Sequence, residues 1–257
     1  MIKSIIKRTL TQFRIGSYNP DLFICAYPKS GVTWLCSVIE IILSKGINPI
    51  IDIDSGWSRV YDYDRLFISG LFKLPFGSSK NIVIYKSHFS FIKHMNPCIV
   101  LARDPRDSIT SHYRFLRERG NRFDMRFDDF LLNKTYGLPL WRDFYLSYLN
   151  STEANRVAFV RYEDISSDIY KLKDLLESYF RLKLDLTEDD NIFEYLSMKN
   201  RSKREEKANK YDLRISWKGR GNFSSHKIKK PSWNNMHEEH LNRIIPSDLL
   251  DHFGYYK

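Results

Sequence analysis

Cysteine is scarce in this 257-residue chain, which has three: Cys25, Cys36 and Cys98. They stand far apart, each inside an apolar run. That pattern excludes a disulfide framework and a paired-cysteine metal site, and points to buried free thiols in a reducing compartment. Long apolar runs are missing too, since no stretch approaches the ~20 apolar residues of a membrane-spanning helix. The opening segment, "MIKSIIKRTLTQF", sets apolar residues at helical spacing between basic ones. It lacks the apolar centre and cleavage site of a secretory signal, so it is expected to pack on the domain, with a membrane contact as the other reading. The sequons at Asn133, Asn150, Asn200 and Asn222 are then expected to carry no sugar.

Acidic residues are in deficit. Lys and Arg number 41 against 31 Asp and Glu, a formal charge of +10. Such a surplus implies an anionic partner: nucleic acid, a membrane surface or a phosphorylated small molecule. Basic residues are densest over Lys199–Lys210 and Lys218–Lys230. Metal-site spacings fail. "HEEH" at His237–His240 places its histidines three apart, where the zinc-protease helix needs four. "DIDSG" at Asp52 opens like a calcium loop, yet its twelfth position is Tyr63 and not glutamate. Both stretches are expected at the surface.

What is present is an alternation. Short apolar runs at Leu22–Tyr27, Ile82–Tyr85, Cys98–Ala102 and Val157–Val160 read as strands buried on both faces. Helical spacing follows at Thr33–Ser44, Pro105–Arg117 and Ile169–Phe180. Strands alternating with helices predict an α/β fold with crossover connections. No repeat or low-complexity linker divides the chain, and residues 1–257 are expected to form one domain.

One strand-to-helix turn carries chemistry. In "AYPKSGVTW", Ala26–Trp34, backbone N–H groups at a helix start make an anion site. Gly31 permits close approach, Lys29 adds a charge, and Ser30 and Thr33 offer hydroxyls. The ATPase loop has lysine directly after its last glycine. Here the lysine comes first, which weakens an ATPase or kinase reading.

The order Tyr-Pro-Lys-Ser-Gly-x-Thr-Trp resembles the 5′-phosphosulfate loop of the soluble, cytosolic-type sulfotransferases. These enzymes use 3′-phosphoadenosine 5′-phosphosulfate (PAPS). "CIVLARDPRDSITSHYRFL" resembles the family's 3′-phosphate motif, with Arg103 at a strand end and Ser111 eight residues on. Arginine suits that role, because its planar fork meets a phosphate with two parallel hydrogen bonds. Arg106–Asp107 reads as a charge pair at the helix start. "IVIYKSHFSFI" resembles the segment with Lys-x-His beyond a strand, here Lys86 and His88. Histidine suits a general base because its pKa lies near working pH. "RVAFVRYEDI" resembles the strand end whose tyrosine, here Tyr162, lies by the adenine. Phe193 in "NIFEYLSMKN" and Trp34 would complete the aromatic slot. "RISWKGRGNFSSHKI" matches the late cofactor loop less closely: Trp217 stands where arginine is expected and Phe223 replaces a tryptophan. Lys218, Gly219 and Arg220 would still supply charge and a pliant backbone. Val32 stands where the family has threonine.

The resemblance implies a P-loop-like three-layer α/β fold, with a central parallel sheet of four or five strands flanked by helices. It implies sulfuryl transfer from PAPS to a hydroxyl or amine of a small-molecule acceptor, leaving 3′-phosphoadenosine 5′-phosphate (PAP). His88 would be the base, with Lys29 and Lys86 the charge stabilisers and no metal. Lys29, Ser30, Gly31, Val32, Thr33, Trp34, Arg103, Ser111, Tyr162, Phe193, Lys218, Gly219 and Arg220 would bind the cofactor. A cytoplasmic enzyme with no nucleic-acid partner and no membrane span is expected. A P-loop kinase and a basic nucleic-acid-binding protein are the alternatives. The acceptor region is less defined. Asp52, Asp54, Asp62 and Asp64 with Trp57, Tyr61, Tyr63 and Phe67 would form either a pocket for a flat or cationic molecule or a surface loop.

Overall fold

The computed structural model describes residues 22–36, 38–39, 60–62, 84–93, 95, 97–119, 123–151, 157–168, 170–180 and 229–256. Five parallel strands form its centre: β1 (Leu22–Ala26), β2 (Val60–Asp62), β3 (Ile84–Ser87), β4 (Cys98–Ala102) and β5 (Val157–Arg161). Their order across the sheet is β2-β3-β1-β4-β5. Ile24 of β1 pairs with Lys86 on one side and Ile99 on the other. The helices among the described residues are α1 (residues 32–36, helical again at 38–39), α2 (Pro105–Arg119), α3 (Phe127–Leu132), α4 (Leu138–Leu149), α5 (Tyr162–Ser167), α6 (Tyr170–Phe180), α7 (Asn235–Ile244) and α8 (Ser247–His252).

The continuous apolar strands explain the layering. Successive side chains of a strand point to opposite faces. Leu22, Ile24 and Ala26 of β1, with Ile99 and Leu101 of β4, face one core, closed by Leu35 and Val38 and by Ile165, Leu172 and Leu176 of α5 and α6. Phe23, Cys25 and Tyr27, with Cys98, Val100 and Ala102, face the other, closed by α2, α3, α4, α7 and α8. Both faces of β1 are dry, and a strand of this kind has no polar alternation to show. The three cysteines are buried thiols, none of them in a disulfide.

The strand order locates the site. From β1 the chain runs out to the edge strand β2, returns through β3, and crosses over β1 to β4. Loops leaving the carboxyl ends of β1, β3 and β4 therefore open around a switch point, where α/β sheets bind ligands.

The sequence expectations meet the fold closely, with three differences. Val60–Asp62, inside the acidic and aromatic segment, is a strand paired in parallel with β3, and is not loop. β3 runs on to Ser87 and so takes in Lys86. His237 is not a surface residue: it is 4% exposed. Its Nδ1 accepts the Asn234 N–H (3.2 Å) and its Nε2 meets Asp128 (2.9 Å), which holds the Asp128 carboxyl below its usual range. The opening segment, Asp52, Asp54, Trp57, Tyr63, Asp64 and Phe67 lie outside the described residues.

Candidate functional site

The loop after β1 departs from ordinary backbone twice in three residues. Lys29 has φ +66° and Gly31 has φ +100°, both in the left-handed region. Glycine adopts it freely, whereas lysine there is strained. The Ser30 N–H donates to the Tyr27 carbonyl (3.2 Å), and the Gly31 carbonyl accepts from Leu35 N–H (3.0 Å) as α1 begins. A Cβ on Gly31 would lie 2.7 Å from the Tyr162 ring, so only glycine fits the contact. Ser30 is fully buried, and its hydroxyl has no hydrogen-bond partner among the described residues, although Tyr145 lies near. A buried, unpartnered hydroxyl is costly and marks a place for a ligand acceptor.

The turn after β4 is built differently. Asp104 caps α2: its Oδ1 accepts the Arg106 N–H (2.8 Å) and its carbonyl accepts from Asp107 (3.1 Å) and Ser108 (2.9 Å). Pro105 in the first helical position completes the cap signature. Arg103 leans over the Tyr162 ring, 4.5 Å from its centroid, and donates to the Lys29 carbonyl (3.3 Å). Its buried Nε has no partner among the described residues. The two turns expected to hold the two phosphate ends of one nucleotide thus touch each other directly.

The remaining expected residues gather around them. Trp34 meets Tyr162 edge to face at 5.6 Å. On α2, Asp107 reaches Arg103 (3.8 Å) and Phe115 lies under the Lys29 ammonium (4.4 Å). Ser111 is four residues from each on the same helix face, and is half-buried. Val32 is buried, and Thr33 is half-buried on α1. Lys86, next to last in β3, pairs with Ile24 of β1. His88, exposed just beyond β3, places its Nδ1 2.7 Å from the Ala26 carbonyl. A carbonyl accepts only, so Nδ1 is the donor in this contact, and Nε2 is the ring position that could take a proton from an acceptor. Phe193, Lys218, Gly219 and Arg220 lie outside the described residues.

The structure also brings in residues that the motifs did not single out. Tyr27 is fully buried, and its hydroxyl donates to the Tyr136 carbonyl. His112 Nδ1 lies 3.1 Å from that hydroxyl oxygen. Burial, and then the nearby His88 and Lys29, push the His112 pKa down to about 4. Arg106 does not pair with Asp107, as expected, but with Asp104 (3.3 Å) and Glu238. Asp107 pairs instead with Arg103 and Lys230. A readable signal existed for Asp104, in Asp-Pro at a helix start. None existed for Glu238, 132 residues from Arg106. Among the described residues no group of side chains could hold a metal ion, and no helix is long and apolar enough to cross a membrane.

Comparison with known proteins gives the lineage. The sulfotransferase domain family profile matches residues 19–245. A 3-alpha-hydroxysteroid sulfotransferase of Cavia porcellus is 28% identical over 192 residues, covering 70% of this chain and 65% of that protein. Human sulfotransferase 2B1 is 29% identical over 162 residues, covering 59% and 43%. The chain therefore spans less than two thirds of the length of these curated relatives. Among solved structures, mouse sulfotransferase SULT7A1 complexed with PAP superposes with TM-score 0.64 at 19% identity, covering 94% of this chain and 91% of that one. A retinol dehydratase complexed with androsterone and PAP gives TM-score 0.59 at 17% identity, covering 90% and 81%. The structural likenesses carry the fold. The family match, across most of the chain, carries the membership: this chain belongs to the sulfotransferase domain family.

Proposed function

We propose that this chain transfers a sulfuryl group from PAPS to a hydroxyl or amine of a small-molecule acceptor. The observation that carries the reading is the contact between two anion-binding turns at the switch point, through the Arg103–Lys29 hydrogen bond, with Tyr162 and Trp34 beside them. The turn at Lys29–Thr33 would hold the 5′-phosphosulfate. Arg103 and Ser111 would hold the 3′-phosphate, and Trp34 and Tyr162 the adenine, with Phe193 as the other stacking face. Lys218 or Arg220, flanking Gly219, would close over the 3′-phosphate. The buried unpartnered Ser30 hydroxyl and Arg103 Nε suit this ligand, since each gains an anionic oxygen as partner.

His88 would take the acceptor proton on Nε2. The acceptor oxygen or nitrogen then bonds to sulfur in line as the bond from sulfur to the 5′-phosphate oxygen breaks. Charge grows on that phosphate oxygen, where Lys29 and the loop N–H groups stabilise it, and Lys86 steadies the sulfuryl oxygens. The products are the sulfated acceptor and PAP. The relatives named for hydroxysteroids make an apolar alcohol the first acceptor class to try. Three buried thiols suit a reducing compartment such as the cytoplasm. We read residues 1–257 as one domain.

Calorimetry with PAP, AMP and ATP tests the assignment. PAP should bind far more tightly than the other two, and Arg103→Ala should remove most of the difference. ATP binding as well as PAP, or no nucleotide binding at all, would overturn it.

A further inference from the structure

We infer that the C-terminal segment braces the grip on the 3′-phosphate, with Glu163 as the positioning residue that aims Arg103. The inference rests on the reading of Arg103 given above. The peptide group that follows Arg103 is held from both ends. Its carbonyl accepts from the indole N–H of the buried Trp141 (3.3 Å). Its N–H, that of Asp104, donates to Glu163 Oε1 (3.1 Å). These two bonds fix the backbone that leaves the Arg103 Cα, the base from which its side chain reaches Lys29 and Tyr162.

Glu163 is itself fixed from the far end of the chain. Its Oε2 accepts the hydroxyl of Tyr255 (2.8 Å), a residue only 3% exposed. Burial, and then the Glu163 charge, hold that hydroxyl protonated far above the usual range, so it stays a donor. The Tyr255 carbonyl in turn accepts from Arg106 (3.1 Å), and Arg106 reaches Glu238 on α7. Trp233 donates to the same Glu238 carboxylate (2.8 Å). Asp104, Glu163 and Glu238 would otherwise crowd negative charge beside a phosphate. Arg106 offsets two of them, and Lys230 occupies Asp107, which competes for Arg103. The segment 230–255 thus both orients the arginine and neutralises its surroundings.

The test separates aim from general stability. PAP and AMP share adenine and 5′-phosphate, so the ratio of their affinities isolates the 3′-phosphate. It is measured by calorimetry on the full chain. Glu163→Ala should lower the ratio about tenfold, as expected for losing a charged hydrogen bond, with AMP affinity nearly unchanged. Glu163→Gln still accepts the Asp104 N–H and should recover most of it. Tyr255→Phe removes one hydroxyl and should lower the ratio about threefold. In an Arg103→Ala background neither change should lower it further, because both act through Arg103. Equal weakening of PAP and AMP, an unchanged ratio, or a further loss without Arg103 would each overturn the brace. A wild-type chain with no preference for PAP would instead refute the reading of Arg103, and the brace with it.

Discussion

Two turns leave the same sheet end, touch each other, and are built on opposite plans. The turn after β1 is made of backbone: two left-handed residues, a glycine packed against a ring, and N–H groups at a helix start. The turn after β4 is made of side chains: an aspartate cap, a guanidinium shared by Asp104 and Glu238, and carboxylate and indole contacts on one peptide group. A backbone-built site needs few residues, all local, and fails when its dihedrals fail. A side-chain-built site draws on partners from the whole chain and fails by degrees. Substitutions should follow that division.

The largest effect belongs to the residue hung on the end of β1. His88→Gln removes the basic nitrogen and should lower turnover ~10²–10⁴-fold once an acceptor is in hand. PAP affinity should hold, because the proposed reading gives His88 the acceptor's proton and no part in holding the nucleotide. Unchanged turnover would place the base elsewhere. Gly31→Ala comes next. It forces a side chain into a φ of +100° and into the Tyr162 ring, and should cost about 2–4 kcal/mol in urea unfolding. Pairing it with Tyr162→Leu relieves the clash and leaves the strain, so stability should return only in part. Full recovery would show that the backbone carries no strain and would blur the contrast between the turns.

Arg106 tests the other plan. Its side chain is 12% exposed, and Arg106→Met removes the cation that Asp104 and Glu238 share. The loss should be about 2–3 kcal/mol, below that of a fully buried pair. Arg106→Lys keeps the charge but not the fork that serves two carboxylates and the Tyr255 carbonyl, and should recover about half. A lysine variant as stable as wild type would mean that charge alone holds the turn.

The same division explains what could be read from the sequence. The turn at Lys29 was legible because its determinants are consecutive residues, and a strand, a lysine and a glycine in nine positions announce it. The four longer strands were legible because burial on both faces leaves unbroken apolar runs. Val60–Asp62 was not, since three residues among Asp and Tyr show no period. Arg103 and Ser111 could be named from their motif. The partners that support them could not, because Glu163, Trp141, Glu238 and Tyr255 meet Arg103, Asp104 and Arg106 across 38 to 149 residues. His237 was misjudged for a related reason: the Asn234 N–H and the Asp128 carboxylate, one local and one 109 residues away, satisfy both ring nitrogens and allow burial.

One residue belongs to both turns, and it gives the smallest and most local test. His112 sits on α2, yet its Nδ1 lies against Tyr27, at the end of β1. Because the Tyr27 hydroxyl proton goes to Tyr136, Nδ1 is the donor in that contact. The folded pKa is near 4, against roughly 6.5 for an unfolded histidine. As pH falls through 6.5 the unfolded chain gains a proton that the folded chain refuses. Stability from this site is therefore full above pH 6.5 and drains away toward pH 4, by at most ~1.4 kcal/mol per pH unit. His112→Gln keeps a donor toward Tyr27 but cannot titrate. The difference in urea midpoint between the two proteins should thus change steadily between pH 6.5 and 4.5 and be constant above pH 7. A constant difference throughout would mean that water reaches the ring, and that the two turns are joined less tightly there than the Tyr27 contact implies.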